Sequence, residues 1–84
     1  MPKVQVYSKQ NCPYCVRAKA LLQKKNVPFE EIDIEQRPEA AEIVMKLNDG
    51  MRKVPTLDIE GTIVSGDAFD AARFEKDLRA AGAF

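Results

Sequence analysis

The sequence predicts a small α/β domain with the element order β-α-β-α-β-β-α. Two kinds of pattern lead to this class. Short runs that alternate apolar and polar residues, beginning with Val4 and Val6, are typical of strands. Between them, apolar residues recur at three- and four-residue spacing, which indicates helices with one buried side. Proline, glycine, asparagine and aspartate lie at the joints, where turns are expected.

The first half of the chain predicts a strand, a helix and a second strand. Residues 3–7 form the first strand, 8–11 a polar loop, and 12 to about 26 the helix, which Val27-Pro28 ends. Residues 29–34 form the second strand, with Ile32 and Ile34 facing inward. The short joints predict a right-handed βαβ unit and therefore a parallel strand pair. The core-facing side of the helix is expected to contain Tyr14, Ala18, Leu21 and Leu22.

The second half predicts a helix, a hairpin and a final helix. Pro38 suits a first helical position, and Gly50 suits a left-handed helix end. Residues 56–59 and 62–64 form two strands joined by the two-residue turn Glu60-Gly61. Asp67 is expected to cap the last helix. The inward-facing residues of the two helices are predicted to be Ala40, Ile43, Val44 and Leu47, and then Ala71, Phe74, Leu78 and Ala81.

Composition excludes several classes of function. The 84 residues predict one domain, residues 1–84. Thirteen basic and thirteen acidic residues cancel, so nucleic-acid binding is not indicated. No apolar run has the length needed to span a bilayer, and we expect no signal peptide. These features predict a cytoplasmic protein, in which a pair of nearby cysteines usually serves redox chemistry.

The most informative stretch is Cys12-Pro13-Tyr14-Cys15, because it lies where the first strand ends and the first helix begins. A helix N-terminus offers unpaired N–H groups and the positive end of the macrodipole, and both favour a thiolate. A free cysteine has a pKa of about 8.5. We expect Cys12 to be exposed at the helix cap and, with Lys9 nearby, substantially ionised at neutral pH. Pro13 suits the first helical position.

The two cysteines are expected to have different roles. Cys15 falls in the first turn on the same side of the helix as Cys12, close enough for a disulfide after small adjustment. In the predicted reaction the Cys12 thiolate attacks a substrate disulfide, and Cys15 then displaces the product by closing the Cys12–Cys15 bond.

Three other interpretations of the cysteine pair remain. A zinc site needs four ligands, and the chain has two cysteines and no histidine, so a second chain or carboxylates would have to contribute. A structural staple across so short a loop gains little from closure. The third is an ordinary half-buried pair. The strand before and the helix after the pair favour redox chemistry, and we predict no metal site.

The element order, together with Tyr7-Ser8-Lys9 leading into the cysteine pair, resembles the glutaredoxins, small members of the thioredoxin fold. The resemblance covers nearly the whole chain. Its strongest block is residues 7–22, and the other blocks are Val54-Pro55 and Gly66-Asp67. It implies a four-stranded mixed sheet flanked by three helices, and a cis peptide bond before Pro55.

The resemblance also implies glutathione chemistry. Such a protein reduces protein disulfides and protein–glutathione mixed disulfides, and glutathione reduces it in turn as a co-substrate, with no bound cofactor. Cys12 would be the nucleophile and Cys15 the resolving thiol. Lys9 would hold the glycyl carboxylate of glutathione, Val54 would pair its backbone with the cysteinyl part, and the N–H groups at Asp67 and Ala68 would take the γ-glutamyl carboxylate. The full set implied for the groove is Lys9, Cys12, Tyr14, Lys53, Val54, Pro55, Gly66 and Asp67.

The sequence departs from the family pattern at two places. Lys53 stands where threonine is usual before Val54-Pro55, and Ser65-Gly66-Asp67-Ala68 replaces a Gly-Gly-Cys-Ser/Asp segment, so that Ala68 offers no side-chain contact. Ser65-Gly66 and residues 37–41 also resemble the glutaredoxin-like hydrogen donors of ribonucleotide reductase, which thioredoxin reductase reduces. That donor is the alternative function. A third, an iron–sulfur cluster carrier, is disfavoured by the rigid helix start at Pro13. We expect the protein to act as a monomer.

Overall fold

The computed structural model describes residues 3–51, 53–65 and 70–84. Its helices and strands follow the predicted order β-α-β-α-β-β-α. They are β1 (Val4–Ser8), α1 (Pro13–Lys24), β2 (Glu30–Asp33), α2 (Pro38–Leu47), β3 (Thr56–Ile59), β4 (Thr62–Ser65) and α3 (Ala71–Ala80).

The four strands form one mixed sheet in the order β2-β1-β3-β4. β1 pairs with β2 in parallel, as the βαβ pattern predicted, with Val6 opposite Glu31 and Ser8 opposite Asp33. β3 runs antiparallel to both β1 and β4. The turn between β3 and β4 has positive φ angles of 49° at Glu60 and 96° at Gly61, which is the backbone of a two-residue hairpin.

The sheet separates two apolar clusters because successive strand residues point to opposite faces. Val4 and Val6 of β1 pack on one face with residues of α1 and α3, whereas Tyr7 packs on the other face with residues of α2. The larger cluster contains Ala18, Leu22, Val27, Leu57, Ile59, Val64, Phe74, Leu78 and Ala83 beside the two valines. β1 therefore runs through the middle of the fold, and its last residue leads directly into the cysteine segment.

The first two helices begin and end where the sequence predicted, to within two residues. Pro13 and Pro38 each occupy a first-turn position, where the missing N–H has no intrahelical partner. α1 ends at Lys24, and Asn26 then adopts a left-handed φ of 57°. Gly50 has a φ of 86°, and its N–H donates to the Met45 carbonyl oxygen at 2.6 Å, so the predicted left-handed end of α2 is confirmed.

Four sequence predictions about residue environment were wrong. Tyr14 and Ile43 are exposed at 40% and 42%, although both were expected to face the core. Ala71 is also exposed, at the start of α3. Each lies at the end or the side of its helix, beyond the narrow strip that a sheet of four- and five-residue strands can cover. Ser8, expected in a loop, is the buried last residue of β1 because it continues the pairing with β2.

The cap of α3 differs from the prediction. Asp67 lies outside the described residues, and the residue that caps α3 is Asp70. Its carboxylate accepts hydrogen bonds from the N–H groups of Ala72 and Arg73 at 3.1 and 3.2 Å. Both aspartates are followed by helix-compatible residues, so sequence pattern alone could not choose between them.

Charged and aromatic groups join the ends of α1 and α3. Lys25 Nζ lies 2.6 Å from Glu75 Oε1. The Phe84 ring packs under two cations, with Lys25 Nζ 5.7 Å and the Arg79 guanidinium carbon 5.5 Å from its centroid. Cation–π contacts at exposed sites contribute about 0.5–1 kcal/mol each. They hold the last residues of the chain against the C-terminal end of α1.

We predict that Asp70→Ala lowers the free energy of unfolding by about 1 kcal/mol, because two N–H groups at the start of α3 lose their acceptor. In a domain of this size that corresponds to a fall in melting temperature of about 4–8 °C. Asp70→Ser is the matched control, since serine retains a capping oxygen. Thermal unfolding followed by circular dichroism measures both variants, and equal melting temperatures for them would contradict a cap at Asp70.

Candidate functional site

The cysteine segment is held by the junction between β1 and α1. Asn11 adopts a left-handed φ of 58°, a conformation that asparagine tolerates better than most residues, and so reverses the chain after β1. Cys12 follows in extended conformation as the N-cap, and Pro13 begins the helix. The predicted placement of both residues is confirmed. The junction therefore fixes the Cys12 sulfur at the N-terminus of α1.

The two cysteines are joined as a disulfide, with their Cα atoms 5.2 Å apart. The backbone N–H of Cys15 also donates to Cys12 Sγ at 3.2 Å. The sulfur thus occupies the place that a serine or aspartate oxygen takes in an ordinary helix cap. A hydrogen bond from a backbone N–H stabilises negative charge on the acceptor, so this contact favours the thiolate once the disulfide is reduced.

The exposure of the two cysteines is unequal but smaller than predicted. Cys12 was expected to be exposed and is only 7% accessible, while Cys15 is 1% accessible. The reason is that the Cys12 side chain turns back onto the helix, towards the N–H and the sulfur of Cys15. Cys12 still lines a cavity open to the surface. Tyr14, which lies between the two cysteines, is 40% exposed, and Val16, directly after Cys15, is 61% exposed.

A polar cluster that the sequence analysis did not identify lines the same cavity. Its members are Ser8 at the end of β1, Lys19 of α1 and Glu31 of β2, and the cavity also contacts both cysteines. The Ser8 hydroxyl donates to Glu31 Oε2 at 2.8 Å, and Lys19 Nζ donates to the same oxygen at 2.6 Å. We call this the Ser8–Glu31–Lys19 cluster.

The cluster holds its carboxylate ionised. The hydrogen bond from Lys19 has the largest effect and lowers the pKa of Glu31 below its ordinary value of 4.5; burial opposes it, and the Ser8 hydroxyl bond and the charge of Lys19 lower the pKa further. A signal for this cluster exists in the sequence: Lys19 follows Cys15 by four residues on α1, and Ser8 shares the face of β1 with Val4 and Val6. Glu31 could not be added without the strand register.

The structure brings together part of the predicted glutathione groove. Lys9 and Val54 line one cleft with Ile34 and Glu35. The peptide bond between Val54 and Pro55 is cis, as the family resemblance implied, and Pro55 is fully buried. Lys9 also lines the cavity beside the cysteines, so it lies between the two openings.

The other predicted groove residues are less closely placed. Lys53 is half-buried next to Val54, and Tyr14 is exposed at the start of α1. Neither is among the described residues that line the Lys9–Val54 cleft. Gly66 and Asp67 lie outside the described residues. The described part of the chain contains no group of three or more His, Cys, Asp or Glu side chains arranged to hold a metal ion. None of its helices has the length and hydropathy to cross a membrane.

The fold and the site define a class of protein. In this mixed sheet the inner strand β1 leads into a helix that begins at a cysteine pair. This is the arrangement of the thioredoxin-like thiol–disulfide oxidoreductases. The protein is one of this class. Residues 4–64 match the family model named Glutaredoxin, and the chain belongs to the glutaredoxin family.

Individual relatives agree with this assignment. A glutaredoxin of Pseudomonas aeruginosa is 46% identical over 67 residues, which cover 79% of this chain and 77% of that protein. The solution structure of a glutaredoxin from Brucella melitensis superposes with a TM-score of 0.71 at 33% identity, covering 95% of this chain and 87% of that one. A buckwheat glutaredoxin–glutathione complex, 23% identical, shares the fold, with a TM-score of 0.72 over 99% and 82% of the two chains.

We predict that Glu31→Gln destabilises the protein at pH 7 by under about 1 kcal/mol, the range of partly exposed ion pairs. Because the pKa of Glu31 is lower in the folded protein, its contribution is present above pH 4.5 and is lost as the pH falls below that value. Urea unfolding at pH 7 and at lower pH measures this. A stability difference that stays constant across that range would contradict the ion pair.

Proposed function

We propose that the protein reduces protein disulfides and protein–glutathione mixed disulfides, with Cys12 as the nucleophile and Cys15 as the resolving thiol, and that glutathione regenerates it. The observation that carries the proposal is the Cys12 sulfur at the N-terminus of α1, where it accepts the N–H of Cys15 and lies at disulfide distance from the second sulfur. The lower accessibility of Cys15 supports the second role for it.

The reaction proceeds by two thiol–disulfide exchanges. The Cys12 thiolate attacks one sulfur of the substrate disulfide, forms a mixed disulfide and releases the other sulfur as a thiolate. Cys15 then attacks Cys12, the Cys12–Cys15 bond forms, and the second substrate sulfur leaves and takes up the proton. Two glutathione molecules then regenerate the enzyme: the first attacks Cys12, forms a mixed disulfide with it and frees Cys15 as a thiol, and the second attacks the bound glutathione sulfur, so that both leave as glutathione disulfide and Cys12 returns to the thiol state. Electrons balance without a further oxidant or cofactor.

The Lys9–Val54 cleft supports glutathione as the reductant. It shares Lys9 with the cavity that the cysteines line, and Lys9 offers a cation that suits a carboxylate of the tripeptide. Val54 lies against Pro55, on the segment predicted to align the cysteinyl backbone. The buckwheat glutaredoxin described above was determined as a complex with glutathione, which agrees with this use of the fold. The contribution of Tyr14, Lys53, Gly66 and Asp67 to the groove stays a prediction.

Two cysteine variants test the division of labour. Cys12→Ser is expected to abolish all exchange, because the attacking sulfur is lost. Cys15→Ser is expected to stop reduction of protein disulfides, which needs both thiols, yet to retain removal of glutathione from glutathionylated proteins, which needs one. Assays with an intramolecular protein disulfide and with a glutathionylated protein compare the two. Equal loss of both activities in the two variants would contradict the proposal.

The reductant is tested by following the Cys12–Cys15 disulfide directly. Glutathione with glutathione reductase and NADPH is expected to reduce it and to sustain turnover of a glutathione mixed disulfide. Thioredoxin reductase with NADPH provides the comparison, since the alternative function is a donor that this enzyme feeds, for example to ribonucleotide reductase. Reduction by thioredoxin reductase alone, with no turnover in the glutathione system, would overturn glutathione dependence.

We predict that Lys9→Ala raises the KM for a glutathionylated substrate about three- to tenfold, equivalent to one charge-assisted contact, with little change in kcat. Glu35→Gln should lower the KM or leave it unchanged, because it removes a negative charge from the same cleft. Lys24 is an exposed lysine in the last turn of α1, and Lys24→Ala controls for the loss of one positive charge. An equal rise in KM for Lys24→Ala would exclude a specific role of Lys9.

A cytoplasmic location, monomeric state and the identity of the protein substrates also stay predictions. The first rests on the use of a C-x-x-C pair in reversible redox chemistry, which reducing compartments permit. Size-exclusion chromatography with light scattering tests the second.

A further inference from the structure

A buried hydroxyl lies directly after the segment that lines the Lys9–Val54 cleft. It belongs to Thr56, the first residue of β3, whose backbone lies opposite Tyr7 of β1 and Ser65 of β4 and is therefore held from both sides. Thr56 is 0% accessible. A buried hydroxyl is costly unless it is hydrogen-bonded, and the partners of Thr56 lie at the end of α2 and just before β3.

Asn48 and Thr56 form a chain of hydrogen bonds that ends at the carbonyl group of Lys53. Asn48, at the end of α2, donates from Nδ2 to the Val44 carbonyl oxygen at 2.8 Å and to Thr56 Oγ1 at 3.2 Å. Thr56 Oγ1 in turn donates to the Lys53 carbonyl oxygen at 2.6 Å. A threonine hydroxyl has a single hydrogen. Because its oxygen accepts from Asn48, that hydrogen is directed to Lys53.

This chain fixes the direction of the backbone N–H of Val54. The Lys53–Val54 peptide bond is trans, and in a planar trans peptide the C=O and N–H groups point in opposite directions. Since the Lys53 carbonyl is directed to Thr56, the Val54 N–H points away from that buried hydroxyl. Val54 lines the cleft together with Lys9. No described residue accepts the Val54 N–H, so the cleft has an unused backbone donor.

We propose that Thr56, oriented by Asn48, is a positioning residue that holds the Val54 N–H towards the Lys9–Val54 cleft, where it donates to a peptide carbonyl beside the substrate cysteine. This inference rests on the proposed use of the cleft for glutathione and adds the two side chains that prepare it. A backbone donor of fixed direction favours disulfides whose cysteine lies in a peptide. A disulfide without a peptide carbonyl gains nothing from it.

Exchange rates of the reduced protein with two disulfides test this selection. Glutathione disulfide presents peptide carbonyls, whereas hydroxyethyl disulfide has none. Thr56→Val removes the hydroxyl and keeps the shape of the side chain. It is expected to lower the rate with glutathione disulfide about three- to tenfold, the equivalent of one hydrogen bond, and to leave the rate with hydroxyethyl disulfide unchanged. Thr56→Ser, which retains the hydroxyl, and Thr62→Val, the same change at an exposed position of β4, should keep the wild-type ratio of the two rates.

NMR relaxation of the Val54 N–H tests the positioning without any substrate. In the wild-type protein its order parameter is expected to be about 0.85, the value of rigid backbone, and in Thr56→Val it is expected to fall towards about 0.6. Asn48→Asp should have the same effect, because a carboxylate only accepts and so turns the Thr56 hydrogen away from Lys53. Asn26→Asp, the same change at an exposed position after α1, should leave the order parameter unchanged.

The outcomes distinguish this proposal from the proposed function. Unchanged order parameters of Val54 in both Thr56→Val and Asn48→Asp would overturn it, and so would an equal slowing with both disulfides in Thr56→Val, which indicates a general structural role. An equal loss of the rate ratio in Thr62→Val would also overturn it. Neither measurement uses glutathione as the reductant, so a failure of glutathione to regenerate the protein would not imitate any of these results.

Discussion

The hydrogen bond from the Cys15 N–H to the Cys12 sulfur joins the architecture of the protein to its chemistry. It requires a helix that begins immediately after Cys12, and Pro13 at its first position and Asn11 in a left-handed conformation provide that beginning. It also requires a fixed strand before the loop. β1 supplies this because it is paired on both sides and its valines are buried between sheet and helices. The position of the cysteine pair is thus fixed by the packing of the core.

Because the helix cap is a sulfur, the two cysteines of the site are not equivalent. In an ordinary cap, the oxygen only satisfies an orphan N–H. Here the same contact places the acceptor where it can also react, while the second cysteine lies within the helix, further from solvent. Two identical side chains three residues apart therefore differ in the hydrogen bond that the sulfur accepts and in access to solvent.

Most of the fold could be predicted from local sequence patterns. Most of the wrong predictions concern residues that a small sheet does not cover. Alternating apolar residues, Pro38 and the Glu60-Gly61 turn specify their elements locally, so the strand and helix order was predictable. The exposure of Tyr14 and Ile43 depends on how far the sheet extends beneath each helix, which periodicity does not reveal. Within the site, the cysteine pair was predictable from spacing and context, whereas the contact of Ser8 with Glu31, 23 residues away, depends on strand register. The cap at Asp70 was missed because another aspartate precedes it by three residues.

The position of β2 has a consequence for association between copies. β2 is an outer strand of the sheet formed by the described residues, so one side of its backbone has no neighbouring strand in the order β2-β1-β3-β4. Unpaired strand backbone is a template for aggregation by addition of another strand. The sequence of β2 is Glu-Glu-Ile-Asp, three acidic residues in four. Glu31 is paired with Lys19, but a second copy approaching strand to strand would bring the carboxylates of Glu30 and Asp33 near their counterparts, and like charges placed opposite each other destabilise strand pairing.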